Sequence, residues 1–416
     1  MYATQKNQIR GLSKQEYVAL RLLCRLSKNL YNVGLYHVRQ YSLQERKFLR
    51  YESNYHHAKE NENDQRLNTD VAQQTLKVVD RSFRSCFGLM KKAHSNEYRF
   101  HAVQLPKYLP KEGYFPLIIP RLRVKDGFAF VPMSLAFKRE HGDIKIPFPE
   151  RLSGKPIKEV RIHPKYNARF FEIAYGYIQE EEPHTVNPDA ALAIDFGVNN
   201  LASCMDTNGA SFFIDGKPLK SINHWYNRRH AKLQSIKDLQ KIKGTTEQQA
   251  RLTMNRNHYV QDYLSKAARH IVNHCLNEGL GKIVVGVNPG WKKDIHIGKR
   301  HNQNFVQIPH WALRRKIESL CERYGILYVE QEESYTSKAS FLDWNEIPTY
   351  NADNPQHVPF SGKRVKRGLY CSATGMKINA DCNGAANILR KSNHRFSDGE
   401  RVARGLLANP MRVKLN

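Results

Sequence analysis

ALAIDFGVNNLASCMD, residues 191–206, decides how this 416-residue chain is read. Apolar residues from Ala191 to Ile194, with Phe196 beyond, surround one acid, Asp195. A run of this kind, closed by Gly197 and the pair Asn199 and Asn200, reads as a buried strand. Residues 201–205 read as a second one. A carboxylate on a buried strand is costly unless something compensates it. Asp195 therefore reads two ways, as a ligand of a metal ion or as an acid capping the turn at the strand end.

The whole-chain charge narrows the partner. Lys and Arg number 66 against 39 Asp and Glu, a net charge of +27. An excess of that size points to a polyanion, and nucleic acid is the leading one. No run approaches the ~18 apolar residues that a membrane-spanning helix needs, and the first residues hold no apolar signal core. A soluble, cytoplasmic protein in a reducing compartment is the expectation, with no membrane partner. The seven cysteines are scattered and none forms a CxxC pair. That argues against a disulfide framework and against a cysteine-rich zinc site.

Working outward, Ser13 and Glu16 form a capping-box pattern before a helix carrying Leu22, Leu26 and Leu30. Residues 46–68 are polar and read as a loop or helical hairpin. A second helix follows, with Ala72, Leu76, Val79, Phe83 and Phe87 at helical spacing. From residue 104 prolines rise and short aromatic segments alternate, as in a small twisted β domain. After the opening stretch come a third strand at 210–214, a long basic helical region at 222–277, a strand at 282–287, a helix at 311–324 and a strand at 326–330. A last helix starts near Asp381. Three meander strands, then helix, strand, helix, strand, helix, is the element order of an RNase H-like domain. A nuclease on that fold holds two Mg²⁺ ions about 3.5–4 Å apart with carboxylates from separate elements. Asp381 is a second candidate ligand, since its i+4 and i+7 partners, Ala385 and Ile388, mark the packed face of its helix. The plainer alternative is that Asp381 caps that helix.

Several of these motifs resemble one family. AIDFGVNNLAS is similar to the first RuvC motif of TnpB, the transposon-encoded RNA-guided nuclease related to type V CRISPR effectors and Fanzor proteins. NADCNGAANILRK, residues 379–391, resembles its third motif. WKKDIHIGKRHNQNFVQIPH, residues 291–310, and EESYTSKASFLD, residues 332–343, are similar to segments of one TnpB branch. The resemblance implies a RuvC-like catalytic site binding two Mg²⁺ ions through Asp195, a middle Glu and Asp381. It also implies a guide RNA from the transposon end and a double-stranded target DNA bearing a short adjacent motif.

The chain departs from the family twice. The middle Glu usually lies on the fourth strand, and here Gly286 stands in its place. The fifth strand ends in Glu330, Gln331, Glu332 and Glu333, and in this fold it neighbours the fourth. Glu332 and Glu333 alternate in direction along a strand, so one of the two is expected as the ligand, and the sequence does not choose. The family's zinc ribbon is also degenerate, with Cys371 retained but Thr374 where a second thiol belongs. One thiol cannot hold a structural zinc. No zinc is expected, and the loop is expected to pack through Phe341, Leu342, Trp344, Ile347 and Tyr370.

Trp291, Lys292, Lys293, Lys299 and Arg300 form a basic aromatic stretch suited to phosphate charge and base stacking, or else a surface loop with Trp291 covering core. Arg364 and Arg367 precede the last motif and could meet the scissile phosphate. The expected fold class is α/β plus α+β. Residues 1–103 form an N-terminal strand and helical recognition lobe, and 104–188 a β-rich wedge. Residues 189–392 form the RuvC-like domain, with the degenerate ribbon at about 335–378, and 393–416 a basic, partly mobile tail. The functional expectation is an Mg²⁺-dependent RNA-guided DNA endonuclease. Gly286 keeps a rival open, a nuclease-inactive RNA-guided DNA-binding repressor.

Overall fold

The computed structural model describes residues 1–288, 308–350, 358–366, 368–394 and 410–415. The chain divides into two compact units, Met1–Gln179 and Glu180–Asn416. In the first, the order is β1 (Tyr2–Gln8), α1 (Lys14–Glu45), α2 (Tyr51–Ala58), α3 (Glu62–Arg66), α4 (Thr69–His94), β2 (Leu117–Ile119), β3 (Arg123–Lys125), β4 (Phe128–Phe130), α5 (Leu135–His141), β5 (Lys145–Pro147), β6 (Ile157–Lys165) and β7 (Phe170–Ile178). The capping box at α1 forms, with Ser13 accepting from the Glu16 backbone and Glu16 from that of Ser13. The polar tract at 46–68 folds into two short helices, α2 and α3.

The helices and the β-rich segment of this unit share one core. Strand β1 pairs with β7 over seven consecutive residues, in a sheet ordered β1-β7-β6-β2. Leu20, Leu23, Leu30 and Leu76 of the helices pack in the same cluster as Ile119, Val160 and Ile173 of that sheet. A four-stranded sheet needs cover for its apolar face, and α1 and α4 supply it.

The second unit continues with β8 (Asn187–Phe196), β9 (Asn200–Asp206), β10 (Ser211–Asp215), α6 (Lys217–Leu239), α7 (Glu247–Asn277), β11 (Leu280–Val287), α8 (His310–Tyr324), β12 (Leu327–Glu332), β13 (Lys363–Lys366), β14 (Leu369–Cys371), β15 (Lys377–Ile378), α9 (Ala380–Lys391) and β16 (Met411–Val413). The main sheet is ordered β12-β11-β8-β9-β10-β16. Strands β8–β9–β10 are antiparallel, while β11, β12 and β16 join in parallel. This is the mixed α/β architecture that the element order predicts. Strand β8 is apolar on both faces because both are covered. Leu192 and Ile194 pack towards α7 and α8, whereas Ala191 and Ala193 pack under Ala385, Ala386 and Ile388 of α9. Small residues on both sides let α9 approach the sheet closely.

Three expectations are corrected. The basic region at 222–277 is two helices, broken between Leu239 and Glu247, where Lys241 and Gly244 take positive φ and Thr246 caps α7 in its own capping box. Residues 411–413 of the supposed tail are instead an edge strand, pairing with Phe212–Ile214 of β10. In the ribbon region, Phe341 and Tyr370 are buried but Trp344 is 64% exposed, with the Arg390 guanidinium 4.8 Å from its ring centroid. Two turns of this region are tied by one acid. The Asp343 carboxylate accepts from the Ala373 backbone and from the Ser361 hydroxyl, both at 2.8 Å. No helix among the described residues is long and apolar enough to cross a membrane.

A buried acid in the first unit yields a stability test. Asp64 on α3 is buried, its Oδ2 lacks a hydrogen-bond partner among the described residues, and burial pushes its carboxyl up to about 6. An acid whose folded pKa exceeds its unfolded value destabilises the fold as it ionises, so stability falls as pH rises between those two values. Asp64→Asn removes that penalty. In urea unfolding its advantage over the parent should grow from near zero at about pH 4 to about 2–3 kcal/mol above about pH 7.

Candidate active site

Asp195 lies near the end of β8, on the face covered by α9. The register runs Ile194 beside Val285, which places Asp195 alongside Gly286 on β11. Gly286 in turn pairs with Gln331 of β12, and the Glu333 backbone N–H donates to Val287 O at 3.2 Å. Glu333 is two residues past Gln331, so it returns to the face that Gly286 and Asp195 share. Its side chain reaches over Gly286. A Cβ added there would meet Glu333 Oε2 at 2.5 Å and Ile388 Cδ1 at 2.6 Å. The gap left by the absent side chain on β11 is filled by a carboxylate from the neighbouring strand.

Helix α9 closes over Asp195 in the same manner. A Cβ at Gly384 would stand 2.8 Å from Asp195 Oδ2. One turn earlier is Asp381. It is not the helix cap, because Asn379 takes that place and accepts from the Asp381 and Cys382 backbones. The Asp381 carboxylate is left to face the cavity, held by Asn200 Nδ2 at 2.8 Å and by Arg364 at 3.3 Å.

The two glutamates part company. Glu332 is engaged by Lys391, which is nearly fully buried and also donates to Ser334 O at 3.1 Å and Pro348 O at 3.0 Å. Burial alone would raise the Glu332 carboxyl, but hydrogen bonds from Lys391 and Ser334 pull it below its ordinary value. Glu333 is shifted the other way. Burial, then the charge of Glu332, raises it. Asp195 is pushed well above the usual carboxylate range by burial, then by the negative charges of Glu333 and Asp381, with Arg364 opposing.

Glu333 and Asp381 thus each bring a negative charge near the buried Asp195. Among the described residues no three His, Cys, Asp or Glu side chains are gathered into a single ligand shell. The three acids are spread out rather than converged on one point. A hard divalent cation with oxygen ligands suits this donor set, because it neutralises the repulsion that now raises Asp195. A cavity of about 390 Å³ opens beside them, lined by Asp195, Asn200, Asp381, Arg364, Lys217 and Arg412 among others. Lys217 and Arg412 went unread in the sequence, as did His310. The ring of His310 is buried, stacks on Phe196 and meets Gly197 O at 2.9 Å, bracing the turn after Asp195. Trp291, Lys292, Lys293, Lys299, Arg300 and Arg367 lie outside the described residues.

With this geometry in place, comparison with known proteins is specific. Residues 174–291 match the OrfB_IS605 family, described as "Probable transposase". Residues 310–388 match the family described as "Cas12f1-like, TNB domain". Together these two stretches cover much of the second unit. It is 25% identical over 209 residues to the TnpB-like protein ORF457 of Acidianus two-tailed virus, covering 48% of this chain and 41% of that one. It is 24% identical over 277 residues to protein A625R of Paramecium bursaria Chlorella virus 1, covering 64% and 60%. The chain therefore spans less than two thirds of either relative. In fold it is similar to the protein of a Cas12f1–sgRNA–target DNA complex, with TM-score 0.54, 14% identity and coverage of 91% and 83%.

The Gly286–Glu333 contact predicts a coupling. Gly286→Ala should destabilise the fold by about 1–3 kcal/mol through overpacking. Combined with Glu333→Ala, which frees the space, the loss should be smaller than the sum of the single losses. Thermal or urea unfolding of the four proteins measures it, and strict additivity would show that Glu333 does not occupy the gap.

Proposed function

We propose that this protein is an RNA-guided DNA endonuclease of the TnpB type, with Asp195, Glu333 and Asp381 holding two Mg²⁺ ions. The observation that carries this reading is the Glu333 carboxylate lying over Gly286. It supplies, just past β12, the acid that β11 lacks, near Asp195. Glu332 is assigned a supporting part, since Lys391 already holds it. When bound, the ions would neutralise the acid cluster, activate water and stabilise the leaving oxygen.

The protein's own groups do the rest. Asn200 and Arg364 fix the Asp381 carboxylate from two sides. Arg364 is exposed beside the cavity and offers its remaining donors to a phosphate oxygen. His310 and Phe196 hold the turn that carries the chain away from Asp195. The likeness in fold to a protein bound to guide RNA and target DNA, together with the +27 charge, supports RNA and DNA as partners. The guide RNA, taken from the transposon end, would select the target, and the protein would read a short adjacent motif. Action in the cytoplasm of a prokaryote, at the nucleoid, follows from that reading.

The test is cleavage of a matched duplex by the protein purified with co-expressed RNA and Mg²⁺. Asp195→Ala, Asp381→Ala and Glu333→Ala should each slow cutting by roughly 1,000-fold, a barrier change of about 4 kcal/mol. Glu332→Ala should stay within about tenfold of the parent, about 1.4 kcal/mol. Tight guided binding with no cutting under any divalent ion would identify the repressor instead. Loss with Glu332→Ala but not Glu333→Ala would reverse the assignment of the middle acid.

A further inference from the structure

The candidate cavity carries two cations for which the cleavage chemistry has no use. Lys217 and Arg412 line it together with Asp195 and Asp381. They come from the opposite side of the sheet. In the order β12-β11-β8-β9-β10-β16, Glu333 follows one edge strand and Arg412 lies on the other. Lys217 begins the helix that leaves β10. Glu333 and Arg412 thus stand towards opposite edges of the sheet.

One buried acid, Asp215, holds the Lys217 backbone and the Arg412 guanidinium. Its Oδ1 accepts from the Lys217 backbone N–H at 3.1 Å and from an Arg412 guanidinium nitrogen at 3.3 Å. The Arg412 guanidinium also lies 5.7 Å from the Phe213 ring centroid. Arg412 is therefore oriented from two sides while both side chains remain exposed. A guanidinium has five donors, so one bond to Asp215 leaves most of the fork open.

We propose that Lys217 and Arg412 form a phosphate clamp that grips the DNA strand in the cavity at a linkage other than the one to be cut. This rests on the reading of the cavity as a strand-cleaving site. Arginine forks match phosphate oxygens, and a lysine adds a mobile point charge. Three strand spacings of about 4.8 Å put β16 on the order of 14 Å from β8. That exceeds the rise between neighbouring phosphates, about 3.4 Å along each strand of a duplex. One strand lying across the sheet can thus meet the acids and the clamp at different phosphates. The clamp would fix which linkage reaches Asp195, and a three-residue strand near the C-terminus would complete the site.

Binding, not cutting, tests this. In the full-length Asp195→Ala protein, affinity for a labelled single-stranded oligothymidylate is measured by fluorescence anisotropy across a salt series. Lys217→Ala and Arg412→Ala should each weaken binding about fivefold and flatten the log–log salt slope by about 0.7 per lost phosphate contact. Arg412→Lys should restore most of the slope, which a general loss of folding would not allow. Affinity and slope unchanged in both alanine variants would overturn the clamp. Its fate separates from that of the nuclease reading. A parent that never cuts while these variants bind weakly removes cleavage and keeps the clamp. A parent that cuts while the variants bind normally removes the clamp alone.

Discussion

The second unit is organised by one constraint: Asp195 has to be accommodated near the end of a strand that is covered on both faces. Two glycines make the room. Gly384 lets α9 cross directly over the carboxylate, and Gly286 leaves a gap alongside it on β11. The alanines at 191, 193, 385 and 386 extend the same close approach along the helix. Room alone does not compensate a buried charge. Burial and two further acids raise Asp195, and only Arg364 opposes them. The protein has built an electrostatic deficit at Asp195, and a buried acid with two further acids nearby is better suited to binding cations than to holding a fold together.

The supporting residues share a pattern. Three of the acids are held in place by a neighbour. Asn200 and Arg364 hold Asp381, while the backbone of Val287 sets the height of Glu333. Lys391 pairs with Glu332, and two backbone carbonyls fix the ammonium in place. The distinction between two adjacent glutamates therefore rests on a lysine near the far end of α9, a helix whose opening turn carries Asp381.

Much of this was legible in the sequence. The doubly covered strand showed itself as an unbroken apolar run, and its acid stood out because that run tolerates none. Helical spacing located α1, α4 and α8, and the NADCNGAANI segment located α9. The rest depended on quantities that a sequence does not carry. Choosing between Glu332 and Glu333 required the register of β12 against β11 and the position of Lys391. The break at residues 240–246 did leave a signal, Gly244 followed by Thr246 and Gln249, but the surrounding polar residues favoured one long helix. Strand β16 is three residues long, too short for any periodicity, so Arg412 had no pattern to announce it. Lys217 and His310 sit at helix starts, where a sequence shows neither which cavity a side chain enters nor which turn it braces.

The carboxylate of Asp343 has a consequence of a different kind. It ties the strand-flanking Ser361 to the turn at Ala373, while the Asp343 backbone N–H donates to the Ser340 hydroxyl. Burial would raise this carboxyl, but hydrogen bonds from Ala373, Ser340 and Ser361 hold it below its ordinary value. A group depressed in this way contributes most when ionised and loses its grip as acidity rises through its folded pKa. Joined through an oxyanion, these turns would answer to protons, loosening as the carboxylate takes one up.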